Sequence, residues 1–254
     1  MKIIIVVILL LLATLVLNAQ NVGSKDQIIS DSTRCSAPQD NLGYKEFILP
    51  SLMFTYGIIA INSDCLKQVN LSFKDEIYDD YNHKLLTVDN YSIFAPAALA
   101  FGLEVFGIKG KNNFKDKAII YALSMGINTA IVTPIKYISN ERRPDNSNSL
   151  SFPSGHTATA FASAEFLRRE YKDVSVWYGI GGYTVAIGTG FLRMYNNKHW
   201  FSDVIAGAGV GIVSTSLAYW LHGKIKYRYK KSPTVYAYPL LGEGNIGLGL
   251  GGNF

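Results

Sequence analysis

Lys136, Arg143-Pro144, Pro153-Ser154-Gly155-His156, Arg193, His199 and Asp203 form one spaced set of the residue types that phosphate transfer without a metal requires. A phosphoryl group carries its charge on three oxygens, which planar Arg forks and a Lys ammonium can surround, and Lys136, Arg143 and Arg193 are the candidates. Lys136 and Arg143 are seven apart, so they would share one side of a continuing helix. Pro144 instead predicts that the chain leaves the helix, which puts the pair at a helix end and the loop beyond. Pro153 suits the first turn of a new helix, where Gly155 admits a close ligand and the free amides, with the Ser154 hydroxyl, would cradle an anion. His156 is then placed to protonate a leaving oxygen. His199 and Asp203 are four apart, so a helix would stack them, with the carboxylate holding one imidazole nitrogen and the other free to attack phosphorus.

In order and spacing, the segments KYISNERRP, PSGH and RMYNNKHWFSD resemble the three signature motifs of the type 2 phosphatidic acid phosphatase and vanadium haloperoxidase superfamily. The resemblance spans roughly residues 46–222. It implies that Lys136, Arg143, Ser154, Gly155 and Arg193 bind phosphate, that His199 is the nucleophile held by Asp203, and that His156 is the acid. The site would need no metal and no other cofactor. One departure stands out: the family usually has Ser before the third-motif Arg, and here Leu192 removes a hydroxyl but no charge.

Other candidates read as ordinary. His83 and His222 are expected to be surface or satisfied polar residues. Arg142 points away from Arg143 on any helix and reads as a rim charge, while Tyr195 and Trp200 read as packing or membrane-interface aromatics.

The elements that must carry these residues are apolar and helical. Stretches near 47–63, 91–108, 118–135, 153–167, 174–192 and 204–223 predict an all-α six-helix bundle, three or four of whose helices are long and uncharged enough to span a bilayer. Glu104 and Glu165 weaken two of the stretches, and the mean hydropathy of +0.14 is low for a chain embedded throughout. The segment 64–90 shows little periodicity and reads as a loop on the active-site side, a candidate substrate lid. Residues 232–254 turn aromatic, β-branched and then Gly-alternating, which predicts a short strand pair or an extended tail.

Residues 1–19 read as a secretory signal cut after Ala19, leaving a phosphatase domain over 20–231; in an oxidising compartment Cys35 and Cys65 could pair, though two free thiols fit equally. The net charge of +5 is modest and does not point to nucleic acid. Its placement is clustered, at Lys109, Lys111, Lys115 and Lys117, at Arg168, Arg169 and Lys172, and at Lys224, Lys226, Arg228, Lys230 and Lys231. These clusters fall at the helix ends opposite the motifs. The positive-inside rule then places the protein in a bacterial inner membrane with its pocket facing the periplasm, provided 47–63 does not cross. The expected partner is a phosphorylated lipid, with lipid A leading over undecaprenyl diphosphate, phosphatidylglycerophosphate and phosphatidic acid. A soluble periplasmic acid phosphatase, a vanadate-dependent haloperoxidase and a non-catalytic phospholipid-binding protein are the competing readings. The sequence assigns no oligomeric state.

Overall fold

Three of the long helices begin on a side chain that satisfies a free amide of the first turn. Asn113 accepts from Asp116 N, Ser154 from Thr157 N, and Ser175 from Trp177 N; such caps are each worth about 1 kcal/mol. The computed structural model describes residues 45–79, 84–231, 234–242 and 245–253. Its helices are α1 Lys45–Asn62, α2 Asp64–Lys74 with a π turn Asp75–Asp79, α3 Asp89–Ser92, α4 Ala95–Val105, α5 Phe114–Ser139, α6 Gly155–Tyr171, α7 Val176–Tyr195 and α8 Phe201–Lys231. Two strands follow, β1 Thr234–Gly242 and β2 Asn245–Asn253, paired antiparallel from Thr234↔Asn253 to Gly242↔Asn245. Residues 1–19, expected to be a signal segment, Cys35 and His83 lie outside the described residues; Cys65 is exposed with a free thiol.

α6 is the central helix and packs against α7, α8, α4 and α5. Its alanines Ala158, Ala160, Ala162 and Ala164 are fully buried, because α8 meets it through glycine. A Cβ at Gly207 would lie 2.5 Å from Ser154 O, and one at Gly211 only 2.2 Å from Ala158 O. Two glycines one turn apart thus let the backbones touch, the small-residue packing that helices use inside lipid. The seam runs straight to the site, since Ser154 N–H donates to Asp203 O at 3.0 Å. Larger side chains fill the two sides of the seam, Phe161, Tyr183 and Ile212 on one, and Phe166, Leu167, Tyr171, Tyr219 and Ile120 on the other.

Several boundaries differ from the sequence expectation, each for a local reason. The segment 64–90 is largely helical: α2 turns 98° from α1 and buries Asn70, Phe73 and Ile77. The helical spacing was masked by Asn70, which is buried for its hydrogen bonds and not for apolar contact. The stretch 91–108 is broken at Phe94, where Pro96 starts α4. Helix α6 starts at Gly155, with Ser154 as cap and Pro153 one residue outside, because the Ser154 side chain is the better N-terminal partner.

Among the described residues, two helices, α5 and Phe201–Lys226 of α8, are long and apolar enough to cross a bilayer, or three spans if the bent pair α1 and α2 counts as one. That is the composition of a membrane protein. Part of the expected basic clusters is spent on ion pairs. Lys117 is buried against Glu104 at 2.7 Å, Arg168 and Arg169 both bind Glu165, and Arg169 also pairs with Glu46. The carboxylates that weakened two stretches therefore have partners inside the bundle.

Candidate active site

Four helix ends and one loop meet at the site. α5 stops at Ser139 because Asn140 takes the left-handed conformation, φ 47°, and its N–H closes on Lys136 O. Lys136 is left on the last turn, where its Nζ donates to Leu150 O at 2.7 Å and Ser151 O at 3.2 Å. Arg143 follows on the loop, which is tied down by Lys198 Nζ to Asp145 Oδ2 (2.6 Å) and Trp200 Nε1 to Arg142 O (2.8 Å). Arg142 itself is exposed. Arg193 sits buried on the last turn of α7.

His199 precedes α8 instead of lying on it, since the helix begins at Phe201. Asp203 occupies the first turn, and its Oδ2 accepts from Trp200 N–H at 2.9 Å, as a capping-box carboxylate reaches back. His199 Nδ1 and Asp203 Oδ2 are still 3.6 Å apart, and Ser151 lies between them. Its hydroxyl donates to Asp203 Oδ2 at 2.5 Å and its Oγ is 3.4 Å from His199 Nδ1. With Nδ1 turned to this acceptor pair, Nε2 keeps the free lone pair.

Burial, then the charges of Lys136, Arg193 and Arg143, hold the His199 imidazole well below its ordinary value, which favours its neutral form. Burial, with Arg193 next, also lowers His156. Those couplings show that Lys136, Arg143, Arg193, His156 and His199 share one field. The Nε groups of both Arg143 and Arg193 are buried without a partner. Unsatisfied buried donors are rare in native structures, and two cationic ones together fit an anion held between them. Ser154 Oγ accepts from Thr157 N–H (3.4 Å) and Thr157 Oγ1 (2.9 Å), so neither bond uses its own proton. A Cβ at Gly155 would meet Lys136 Cε only at 3.8 Å, which leaves room between the helix start and the ammonium. Among the described residues no three His, Cys, Asp or Glu side chains are grouped to hold a metal.

Residues 117–227 match the PAP2 superfamily. Over 154 residues, 60% of this chain, it is 42% identical to the lipid A 1-phosphatase of Porphyromonas gingivalis. The match covers 34% of that protein, so the chain spans about one third of the curated relative's length. The crystal structure of the transmembrane PAP2-type phosphatidylglycerolphosphate phosphatase of Bacillus subtilis shares the fold. Its TM-score is 0.52 at 18% identity, over 72% of this chain and 98% of that one. Aquifex aeolicus LpxE aligns at a TM-score of 0.47 and 25% identity, over 59% of this chain and 94% of that one.

Every residue of the three PAP2 motifs singled out in the sequence thus comes to one end of the bundle. Four others at the site were not foreseen. Ser151 stands two residues before Pro153 with no mark of its role. Asp89, buried, binds Arg193 Nη1 through Oδ2 at 2.5 Å, and Asn196 Nδ2 lies 3.4 Å from the same oxygen. Asn70 on α2 brackets Ser202, donating to its Oγ (2.9 Å) and accepting from its N–H (3.0 Å), which fixes the first turn of α8. Only a carboxylate set among Leu85, Leu86, Val88, Ile93 and Phe94 before α4 could have signalled Asp89. His222 is a satisfied polar residue, 3.2 Å from Asp116 Oδ1.

Proposed function

We propose that this protein is a metal-independent lipid phosphatase acting through a phosphohistidine. The observation that carries the reading is the pair of unpartnered Arg143 and Arg193 Nε donors beside a neutral, buried His199 whose Nδ1 is committed to Ser151 and Asp203. A phosphate ester bound there would be met by Lys136, Arg143 and Arg193 and by the α6 amides behind Ser154 and Gly155. His199 Nε2 attacks phosphorus, the P–O bond to the alcohol breaks, and protonated His156 gives its proton to the departing oxygen. Water, deprotonated by the now neutral His156, then cleaves the P–N bond and returns phosphate. Charge neutralisation comes from the three cations, so the reading invokes no metal.

Surface chemistry beside the pocket favours a lipid over a soluble ester. Leu85, Val88, Tyr91 and Phe94 are exposed on the segment around α3, and Tyr137 and Ile138 are exposed at the Lys136 end of α5. An apolar, aromatic rim around a charged pocket suits a headgroup entering while its chains stay in the bilayer interface. The P. gingivalis relative makes lipid A the first candidate substrate. The signal segment and the basic residues at the opposite helix ends support an inner-membrane protein with its pocket toward the periplasm.

The test is phosphate release by detergent-purified protein, with EDTA present, from lipid A, undecaprenyl diphosphate, phosphatidic acid, phosphatidylglycerophosphate and an aryl phosphate. His199→Ala is the blank, expected to lose several orders of magnitude. Lipid-selective turnover supports the proposal. Preference for the aryl ester would make this a soluble-substrate acid phosphatase, and turnover retained in His199→Ala would refute the phosphohistidine step.

A further inference from the structure

The short helix α3 lies outside all three motifs, yet it touches the catalytic end of the bundle. Its Asn90 Oδ1 accepts a hydrogen bond from His156 Nε2 at 3.0 Å. The backbone around Asn90 is anchored to α7 and the turn after it at three places. Asp89 pairs with Arg193, Ser92 Oγ is 2.7 Å from Thr189 Oγ1, and Leu86 exchanges two bonds with Asn196, at 3.0 and 2.7 Å. Asn90 itself is exposed, so its amide is not needed to fill the core.

An acceptor opposite Nε2 has a chemical consequence. It fixes the proton on that nitrogen in neutral imidazole and leaves Nδ1 as the atom that gains and loses a proton. We propose that Asn90 is a positioning residue for proton transfer by His156, holding its ring as the Nε2–H tautomer so that Nδ1 faces the leaving oxygen and later the attacking water. In the first half-reaction the Nδ1 proton goes to the alkoxide as the P–O bond breaks; in the second, Nδ1 takes a proton from water as the P–N bond breaks. Asn90 Oδ1 accepts throughout and exchanges no proton. The inference rests on the reading of His156 as the catalytic acid.

Arg193, Asp89, Arg143, Lys136 and His199 are the charged and titratable groups that also face His156, and all five are unchanged when only position 90 is altered. Asn90→Ala removes an acceptor that favours imidazolium, so the basic limb of the kcat–pH profile moves to lower pH. Asn90→Asp replaces it with a carboxylate and moves the same limb to higher pH. At neutral pH Asn90→Ala lowers kcat by roughly 3- to 30-fold, the range of one hydrogen bond to a group that becomes charged, with little change in KM. A merely structural role would shift both limbs alike or neither.

The tautomer can be read without turnover. Nitrogen-15 spectra of histidine-labelled protein in detergent, with the His156 signals assigned by His156→Gln, should show Nε2 protonated and Nδ1 bare. Asn90→Ala should mix the two forms. A wild-type Nδ1–H tautomer, or the same spectrum in Asn90→Ala, overturns the proposal whatever the activity. A tautomer that responds to Asn90 in a protein that hydrolyses no phosphate ester would support the contact and count against the phosphatase reading instead.

Discussion

Replacing Ser151 by alanine tests the link on which the proposed nucleophile His199 depends. Ser151 is fully buried, and Asp203 Oδ2 receives two short donors, the Ser151 hydroxyl at 2.5 Å and Trp200 N–H at 2.9 Å. The other carboxylate oxygen, Oδ1, is buried without a partner, and the direct approach of His199 Nδ1 is 3.6 Å, beyond a good hydrogen bond. Removing the hydroxyl deprives a buried carboxylate of one of its two donors and His199 of its nearer acceptor. A hydrogen bond to a charged group is worth ~1.5–3 kcal/mol, so kcat should fall by about 10- to 100-fold. KM should change little, because Ser151 backs the imidazole and does not line the phosphate cradle. The assay is initial rates of phosphate release at saturating lipid, with melting temperature in the same detergent as a folding control and Asp203→Asn alongside. Asp203→Asn should fall further, toward the ~10^4-fold that a wrong tautomer costs a Ser-His-Asp triad. Wild-type kcat in Ser151→Ala beside a crippled Asp203→Asn would mean that Asp203 orients His199 directly, and a relay through Ser151 would be refuted.

Gly211→Ala should destabilise the fold by ~1–3 kcal/mol or more, because the new Cβ meets Ala158 O at 2.2 Å and Ala162 N at 2.8 Å, backbone atoms that cannot swing aside. The readout is the melting temperature in detergent, and an unchanged value would show that α6 and α8 do not need the glycine seam. Stability should also fall on mild acidification. Burial and the cations around them depress His199 and His156 in the folded protein, while unfolded histidine titrates near ~6.5. Below that pH the unfolded chain binds more protons than the folded one, so the stability present above ~6.5 is lost as pH drops toward the folded values. Comparing melting temperatures at pH 7.5 and 5.5, His199→Asn should lose less than wild type; an equal loss would mean that His199 is not held neutral.

Much of the site was legible because its chemistry is written in short intervals. Lys136 to Pro144 and Pro153 to His156 each span one helix end and the adjoining turn, and Arg193 to Asp203 spans the end of α7, a short turn and the start of α8, so local rules for caps and breakers place them. What stayed hidden is contributed across long separations. Asn90 reaches His156 over 66 residues, Asp89 reaches Arg193 over 104, and Asn70 reaches Ser202 over 132. Each is a polar residue in a stretch whose apolar period it interrupts, and hydrophobic periodicity counts such a residue as evidence for a loop. The same logic explains the basic clusters. Lys117, Arg168 and Arg169 look like solvated charges along the chain, and only the fold reveals Glu104, Glu46 and Glu165 waiting opposite.

Among the described residues, buried ionic groups occur both at the motif end and deeper in the bundle, and the difference between two of them is instructive. Far along α6 from the motifs, Glu165 receives Arg168 Nε and Nη2 at 2.7 Å, Arg169 Nε at 2.6 Å and Tyr183 OH at 2.6 Å, while Arg169 Nη2 also reaches Ser216 Oγ. Both Glu165 oxygens are satisfied, and such a network ties α6 to α7, α8 and α1 without asking for anything else. At the motif end the cations outnumber their partners. Arg193 spends Nη1 on Asp89 but leaves Nε bare, Arg143 leaves Nε bare, and Lys136 donates only to carbonyls. Burying unpaired donors costs stability, and nothing in the packing of α5, α6 and α7 compels it, since the other network shows that this fold can complete its ion pairs. The deficit is accounted for if the missing acceptors arrive with the substrate, and three cations arranged about the start of α6 match the oxygens of one phosphoryl group.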